Sequence, residues 1–176
     1  MNALEKLTEQ ALNIYHSLPR DVVSAIKKDH KSLRKYLDVL KDTDAKMSER
    51  RKAYAEFSAL LKSHSQAEES IVYKASFKMT GKELHVRVGE GFVEHQLADD
   101  LMKRMEKTNI TLEWSAHANV LAKIVEHHLD EEEKELLPLI RKGSSAKLDE
   151  KMLSAFLELR LRTQKKISKK NAGVLH

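Results

Sequence analysis

His64-Ser65-Gln66-Ala67-Glu68-Glu69 and His128-Leu129-Asp130-Glu131-Glu132-Glu133 share one pattern, a histidine followed four residues later by a pair of glutamates. Each copy trails a lone histidine by nearly the same distance. His30 stands 34 residues before His64, and His95 stands 33 before His128. Both lone histidines follow an acid, as Asp29-His30 and Glu94-His95. Residues four apart share one face of an α-helix. Each pair can therefore offer an imidazole and a carboxylate to one ion, and two such halves facing each other can hold two ions side by side.

The flanking residues set these groups into apolar helical stripes. Val23, Ile26, His30, Leu33, Leu37 and Leu40 recur at spacings of three and four, as do Phe57, Leu61, His64, Glu68, Ile71 and Ala75. Val88, Gly91, His95, Ala98, Met102 and Met105 form a third stripe, and Leu121, Val125, His128, Glu132, Leu136 and Leu139 a fourth. Such spacing marks amphipathic helices whose stripe faces a core. On the fourth stripe it selects His128 and Glu132 over the equally spaced His127 and Glu131, which lie about 100° around the helix. His127 is then a supporting or pocket-wall residue. His117 is expected at a bundle end, and His16, His85 and His176 have no partner at informative spacing.

Period-two alternation is absent, and turn formers are few, with 5 Gly and 2 Pro in 176 residues. The expected fold is all-α: an up-and-down four-helix bundle with additional N- and C-terminal helices. Leu4, Leu7, Ala11, Ile14 and Leu18 outline a first helix over 1–18. Pro19 and Asp21 open a second, to about Lys41, and Ser48 is a candidate cap for a third, to about Phe77. A fourth spans about 83–107, loosened at Gly89 and Gly91, and a fifth runs from a Thr111 cap to about Arg141. A shorter terminal helix covers about 148–168. The length suits a single domain, 1–176, with the bundle at 22–141.

Cysteine is absent, which excludes disulfides, thiolate ligands and cysteine nucleophiles. No apolar run approaches the roughly 18 residues that span a bilayer, and the N-terminal residues lack the regions of a secretory signal. No membrane partner and a cytoplasmic setting are expected. The net charge of +5 comes from Arg160, Arg162, Lys165, Lys166, Lys169 and Lys170, which stand without an acid from residue 159 onward. Such a tail reads first as a solvated helix end whose cations suit the C-terminal dipole, and a nucleic-acid role is set behind that.

Carboxylates and imidazoles in a buried stripe are costly unless satisfied; an unpaired imidazole alone costs about 1–3 kcal/mol. Four histidines and two glutamates are compensated far better by a divalent pair than by one another. Imidazole and carboxylate donors suit iron, manganese or zinc rather than calcium or magnesium.

The set H…HxxxE…H…HxxxE on four helices resembles the hemerythrin-like, or HHE cation-binding, family over residues 22–141. Glu126 to Pro138 look like that family's closing motif, with its apolar-Pro end. The resemblance implies a bridged centre of two iron ions, iron coming before manganese or zinc. Carried over, its metal ligands are His30, His64, Glu68, His95, His128 and Glu132, with the glutamates bridging and the histidines terminal. The oxygen carriers of that family have a further histidine where this chain has Asp99. That acid is read as a partner of a metal-bound water or as a surface residue, and more remotely as an extra ligand. The carriers also end in a longer His-to-Asp spacing, so the likeness is to the broader group and points away from reversible oxygen transport.

The expected function is that of a non-haem di-iron protein that binds or reacts with dioxygen, peroxide or nitric oxide, as sensor, scavenger or buffer. Ile26, Leu33, Phe57, Leu61, Ile71, Phe92, Leu121 and Val125 would supply a dry lining. Turnover of peroxide or nitric oxide is the enzymatic version of this reading, with Asp99 and Glu131 as the nearby acids. A bundle held together by metal, docking a partner through its basic tail, is the alternative.

Overall fold

The first described helix owes its start to a reciprocal cap. Asp21 accepts from the Ser24 N–H at 2.6 Å, and the Ser24 hydroxyl accepts from the Asp21 N–H at 3.1 Å. Two of the four orphan donors at that helix end are thereby satisfied. The computed structural model describes residues 18–174, so the helix expected at the N-terminus, His16 and His176 lie outside the described residues. Helix α1 is Val22–Lys41 and α2 is Met47–Ala67. A π-helical turn, Glu68–Tyr73, carries α2 into the short α3, Lys74–Ser76. Helix α4 is Lys82–Lys107 and α5 is Thr111–Glu131. A second π turn, Glu132–Leu136, leads from α5 into α6, Leu137–Gly143, and α7 is Ala146–Val174.

Helices α1, α2, α4 and α5 pack as a ring, α1 on α2 and α5, and α4 on α5 and, more loosely, on α2. This is an all-α, hemerythrin-like helical bundle. Its core divides in two. At one end Phe57, Trp114, Leu121 and Met105 cluster with Leu33 and Leu37. At the other, Val22, Ile26, Val72, Tyr73, Ile140 and Phe156 pack together. The histidines and glutamates lie in the layer between.

Several local expectations are corrected. Ser48 does not cap α2, which begins at Met47 without a side-chain cap. Thr111 is the first residue of α5 rather than its cap; Thr108 instead accepts from the Ile110 N–H and donates to Glu113. Helix α4 runs unbroken through Gly89 and Gly91. The terminal helix is not a short appendage: α7 has 29 residues and lies against α1 and α2, burying Met152 and Phe156.

The largest correction concerns register. Val23 through Leu40 on α1 and Val88 through Met105 on α4 are buried as the stripes require. Beyond Glu68, however, Val72, Tyr73 and Ser76 are buried where Ile71 and Ala75 were expected, and beyond Glu132, Leu137 and Ile140 replace Leu139. A π turn takes one residue more than an α turn, so each stripe is displaced by one position after it. In the second case the wider turn also precedes Pro138, which has no N–H for a regular ladder.

Candidate metal centre

The four stripes bring His30, His64, Glu68, His95, His128 and Glu132 into one interior layer, none more than 6% exposed. Their donor atoms fall into two groups, His30 with His64, Glu68 and Glu132, and Glu68 with His95 and His128. Within each group the atoms lie within 4.8 Å of one another. Glu68 belongs to both: its Oε2 is 3.2 Å from His64 Nε2 and 3.4 Å from His95 Nε2. Glu132 Oε2 spans the halves likewise, 3.3 Å from His30 Nε2 and 3.6 Å from His128 Nε2. His30 Nε2, His64 Nε2, both oxygens of Glu68 and Glu132 Oε2 are buried without hydrogen-bond partners. Orphans of this kind are rare and costly, and a cation held among them would satisfy all of them at once.

The other ring nitrogen of each of these four histidines points outward to a carboxylate. His30 Nδ1 donates to Glu133 at 3.0 Å and His64 Nδ1 to Asp29 at 3.3 Å. His95 Nδ1 donates to Glu69 at 2.9 Å and His128 Nδ1 to Glu94 at 2.8 Å. A carboxylate only accepts, so each bond places a proton on Nδ1, and in the neutral ring, the form that binds a metal, the Nε2 lone pair then faces the centre. Histidines that ligate metals are supported in the same way. Sequence reading noticed these four acids beside the ligand-type residues and gave them no role. Their adjacency was the available signal.

Two of the acids are anchored in turn. Arg160 of α7 grips Asp29 with Nε at 2.9 Å and Nη2 at 2.6 Å, and Arg34 donates to Glu133 at 2.7 Å. Arg160 therefore departs from the solvated tail expected of it.

Charge in the metal-free protein follows this geometry. Burial pulls the His64 imidazole down, but the Glu68 and Asp29 carboxylates outweigh it and raise its pKa from 6.5 to about 10. For His95, burial is outweighed by Glu68 and Glu69, and the value is about 9. The hydrogen bond from His30, opposed by burial and aided by Arg34, lowers Glu133 to about 2. Because both histidines are raised, their stabilisation of the metal-free fold is complete below 6.5 and is lost as pH rises through about 9 and then about 10. Melts of chelated protein across that range should show a falling Tm. A flat profile would contradict these pairings.

Tyr73 was missed because α-helical spacing points it elsewhere; the π turn carries it inward. Its ring stacks on His95 at 5.7 Å, and its hydroxyl donates to Glu132 Oε1 at 2.6 Å. Burial and the Glu132 charge push the phenol pKa up, so it remains a donor. Gly91 makes room: a Cβ there would lie 2.5 Å from the Tyr73 oxygen and 3.0 Å from Cζ. Gly91→Ala is therefore expected to cost about 1–3 kcal/mol by overpacking. Adding Tyr73→Phe, which removes the closest atom, should recover part of that loss. Thermal melts of the two single variants and the double variant test this coupling, and strict additivity would rule it out.

A cavity of about 540 Å³ opens between α2 and α4 and reaches His95, lined also by Leu61, Glu69, Phe92, Asp99 and Met102. Asp99 stands at its wall, 2.8 Å from Lys103, outside both donor groups. His127 is 64% exposed, His85 faces the Met79 carbonyl at 3.0 Å, and His117 is half-buried. Among the described residues, no helix is long and apolar enough to cross a membrane.

Residues 21–140 match the family model of the hemerythrin HHE cation binding domain. No curated protein and no solved structure gives a significant match. The matched span holds all six interior ligand-type residues and all four supporting acids, while Arg160 lies beyond it. The chain belongs to the hemerythrin HHE cation-binding family.

Proposed function

We propose that the protein holds two iron ions and binds or reacts with dioxygen, peroxide or nitric oxide. His30 and His64 serve one ion, His95 and His128 the other, and Glu68 and Glu132 reach both. What carries the reading is an asymmetry between two otherwise matched halves. The His30/His64 group has four clustered donors and is backed by Arg34 and Arg160, whereas the His95/His128 group has three and adjoins the α2/α4 cavity. A small ligand therefore has both space and an approach at His95.

When bound, a ferrous pair supplies electrons to such an oxidant. The chain's own contribution is to hold and to exclude. The Nδ1 bonds fix the four rings, the Tyr73 hydroxyl steadies Glu132, and Leu61, Phe92 and Met102 keep much of the approach apolar. Asp99, on the cavity wall, is the acid placed to exchange a proton with a ligand there. A cytoplasmic setting belongs to the same proposal.

Anaerobic reconstitution with ferrous iron followed by oxygen is the test. Two irons per chain with an oxygen-dependent near-ultraviolet spectrum are expected. Reversibility would indicate sensing or buffering, and sustained peroxide or nitric oxide consumption an oxidoreductase. Metal that responds to none of the three would reduce the centre to a structural staple and defeat the proposal.

A further inference from the structure

We infer that His127, Glu94 and Glu131 form a second, outer divalent-cation site, from which ions pass inward to the buried centre. His127 and Glu131 repeat the four-residue histidine–glutamate spacing one position earlier, on the neighbouring face of α5. Glu131 is the last residue before the π turn, so α-helical geometry still brings the pair together. His127 Nε2 lies 3.5 Å from Glu131 Oε1 and 3.9 Å from Glu94 Oε1. Around a zinc-like ion with bonds of about 2.0–2.2 Å, donors sit roughly 3.0–3.5 Å apart, so small rotamer adjustments close this set. One imidazole and two carboxylates suit manganese, ferrous iron or zinc.

Two independent observations point to a cation here. The first is the approximate symmetry of the halves. Asp29 and Glu94 each precede a lone histidine and each support the histidine of their own tetrad, His64 and His128. Asp29 is completed by the Arg160 guanidinium. Glu94 makes no ion pair with lysine or arginine among the described residues. It is 16% exposed, one oxygen is held by His128, and the other faces His127. Where one half carries a guanidinium, the other presents an imidazole and a carboxylate, a place that a metal ion fills.

The second observation is the route inward. An open cavity of about 550 Å³ has Glu90, Glu94, His127 and Glu131 in its wall. Behind it a gap of about 10 Å³, enough for roughly one water, is bounded by Glu94, Glu131 and Glu132. Glu132 Oε2 is buried without a hydrogen-bond partner and belongs to the interior donor group. Arg87 also borders the gap, but its guanidinium is occupied by Glu90 and Glu135. A line of carboxylates thus leads from the surface to the centre, and a divalent ion can step along it without losing charged partners.

The outer site stands on its own geometry, while its loading role rests on the two-metal reading above. Manganese(II) titrated into metal-free protein and followed by the loss of the free-ion EPR signal tests the site. Wild type should bind three ions, and His127→Ala and Glu131→Gln should each bind two. Cobalt(II) uptake followed by its visible absorption tests the route, with initial rates expected to be severalfold slower in both variants at unchanged final inner-site absorbance. Equal manganese counts in all three proteins would overturn the outer site, and equal cobalt rates would overturn the loading role. A wild type that binds a single ion, lost on His127→Ala, would uphold the outer site and instead sink the two-metal centre.

Discussion

Glu68→Ala is expected to abolish metal loading: after reconstitution with ferrous iron, bound iron per chain should fall to near zero and any oxygen-dependent absorption should disappear. Glu68 is fully buried and is the one residue common to both donor groups. Removing it takes the only negative charge from the three-residue group and one of two from the four-residue group. Loss of a supporting partner alone typically costs about 10–100-fold in metal affinity, and loss of a shared ligand should exceed that. Stability gives a second readout. Metal at about 1,000 times its dissociation constant stabilises the folded state by about 4 kcal/mol, which for a chain of this size is roughly 8–16 °C in Tm. Chelation should therefore lower the wild-type Tm by that order and leave the Glu68→Ala Tm unmoved. Full iron content in the variant, by elemental analysis, would show that Glu68 is not the shared ligand.

Arg160→Ala should produce the largest loss of stability outside the centre itself. Asp29 is 6% exposed and receives two bonds from the guanidinium. Deleting the guanidinium breaks a buried pair and leaves the Asp29 carboxylate with His64 as its remaining partner, at a cost of about 3–5 kcal/mol. Wild-type and variant melts should differ by roughly 6–20 °C at the sensitivity of a chain this long. Arg160→Lys should recover only part of this, because an ammonium cannot reproduce the two-pronged geometry. The effect should reach the metal as well, since Asp29 is the acceptor that orients His64. An unchanged Tm in Arg160→Ala would mean that α7 only covers the bundle.

The ring of four helices was legible because amphipathic periodicity is a local property. Pro19 and Asp21 announced the start of α1, and the stripes on α1 and α4 could be read residue by residue. Reading failed where the period itself changed. Past Glu68 and Glu132 the chain spends an extra residue in a turn, and a fixed 3.6-residue period then selects Ile71, Ala75 and Leu139 in place of Val72, Tyr73 and Ile140. Gly91 was misread for a related reason. In sequence it weakens a helix, whereas in the structure it is the space that Tyr73 occupies. The end of the chain was undervalued because six cations with no nearby acid look solvated, and Arg160's acid lies 131 residues earlier.

The sequence by itself determined that two histidine–glutamate pairs and two lone histidines would share one bundle interior, because a four-residue spacing and an apolar stripe leave them nowhere else to point. It also placed an acid beside His30, Glu68, His95 and Glu132. Only the tertiary structure decided which acid serves which histidine. Asp29 is the chain neighbour of His30 but does not support it; it supports His64, while Glu133 supports His30, Glu69 supports His95 and Glu94 supports His128. Adjacent residues on a helix diverge by about 100°, so each acid turns away from its neighbour and meets the imidazole of another helix. Such pairings depend on how helices are set against one another, and no spacing along one chain contains that information.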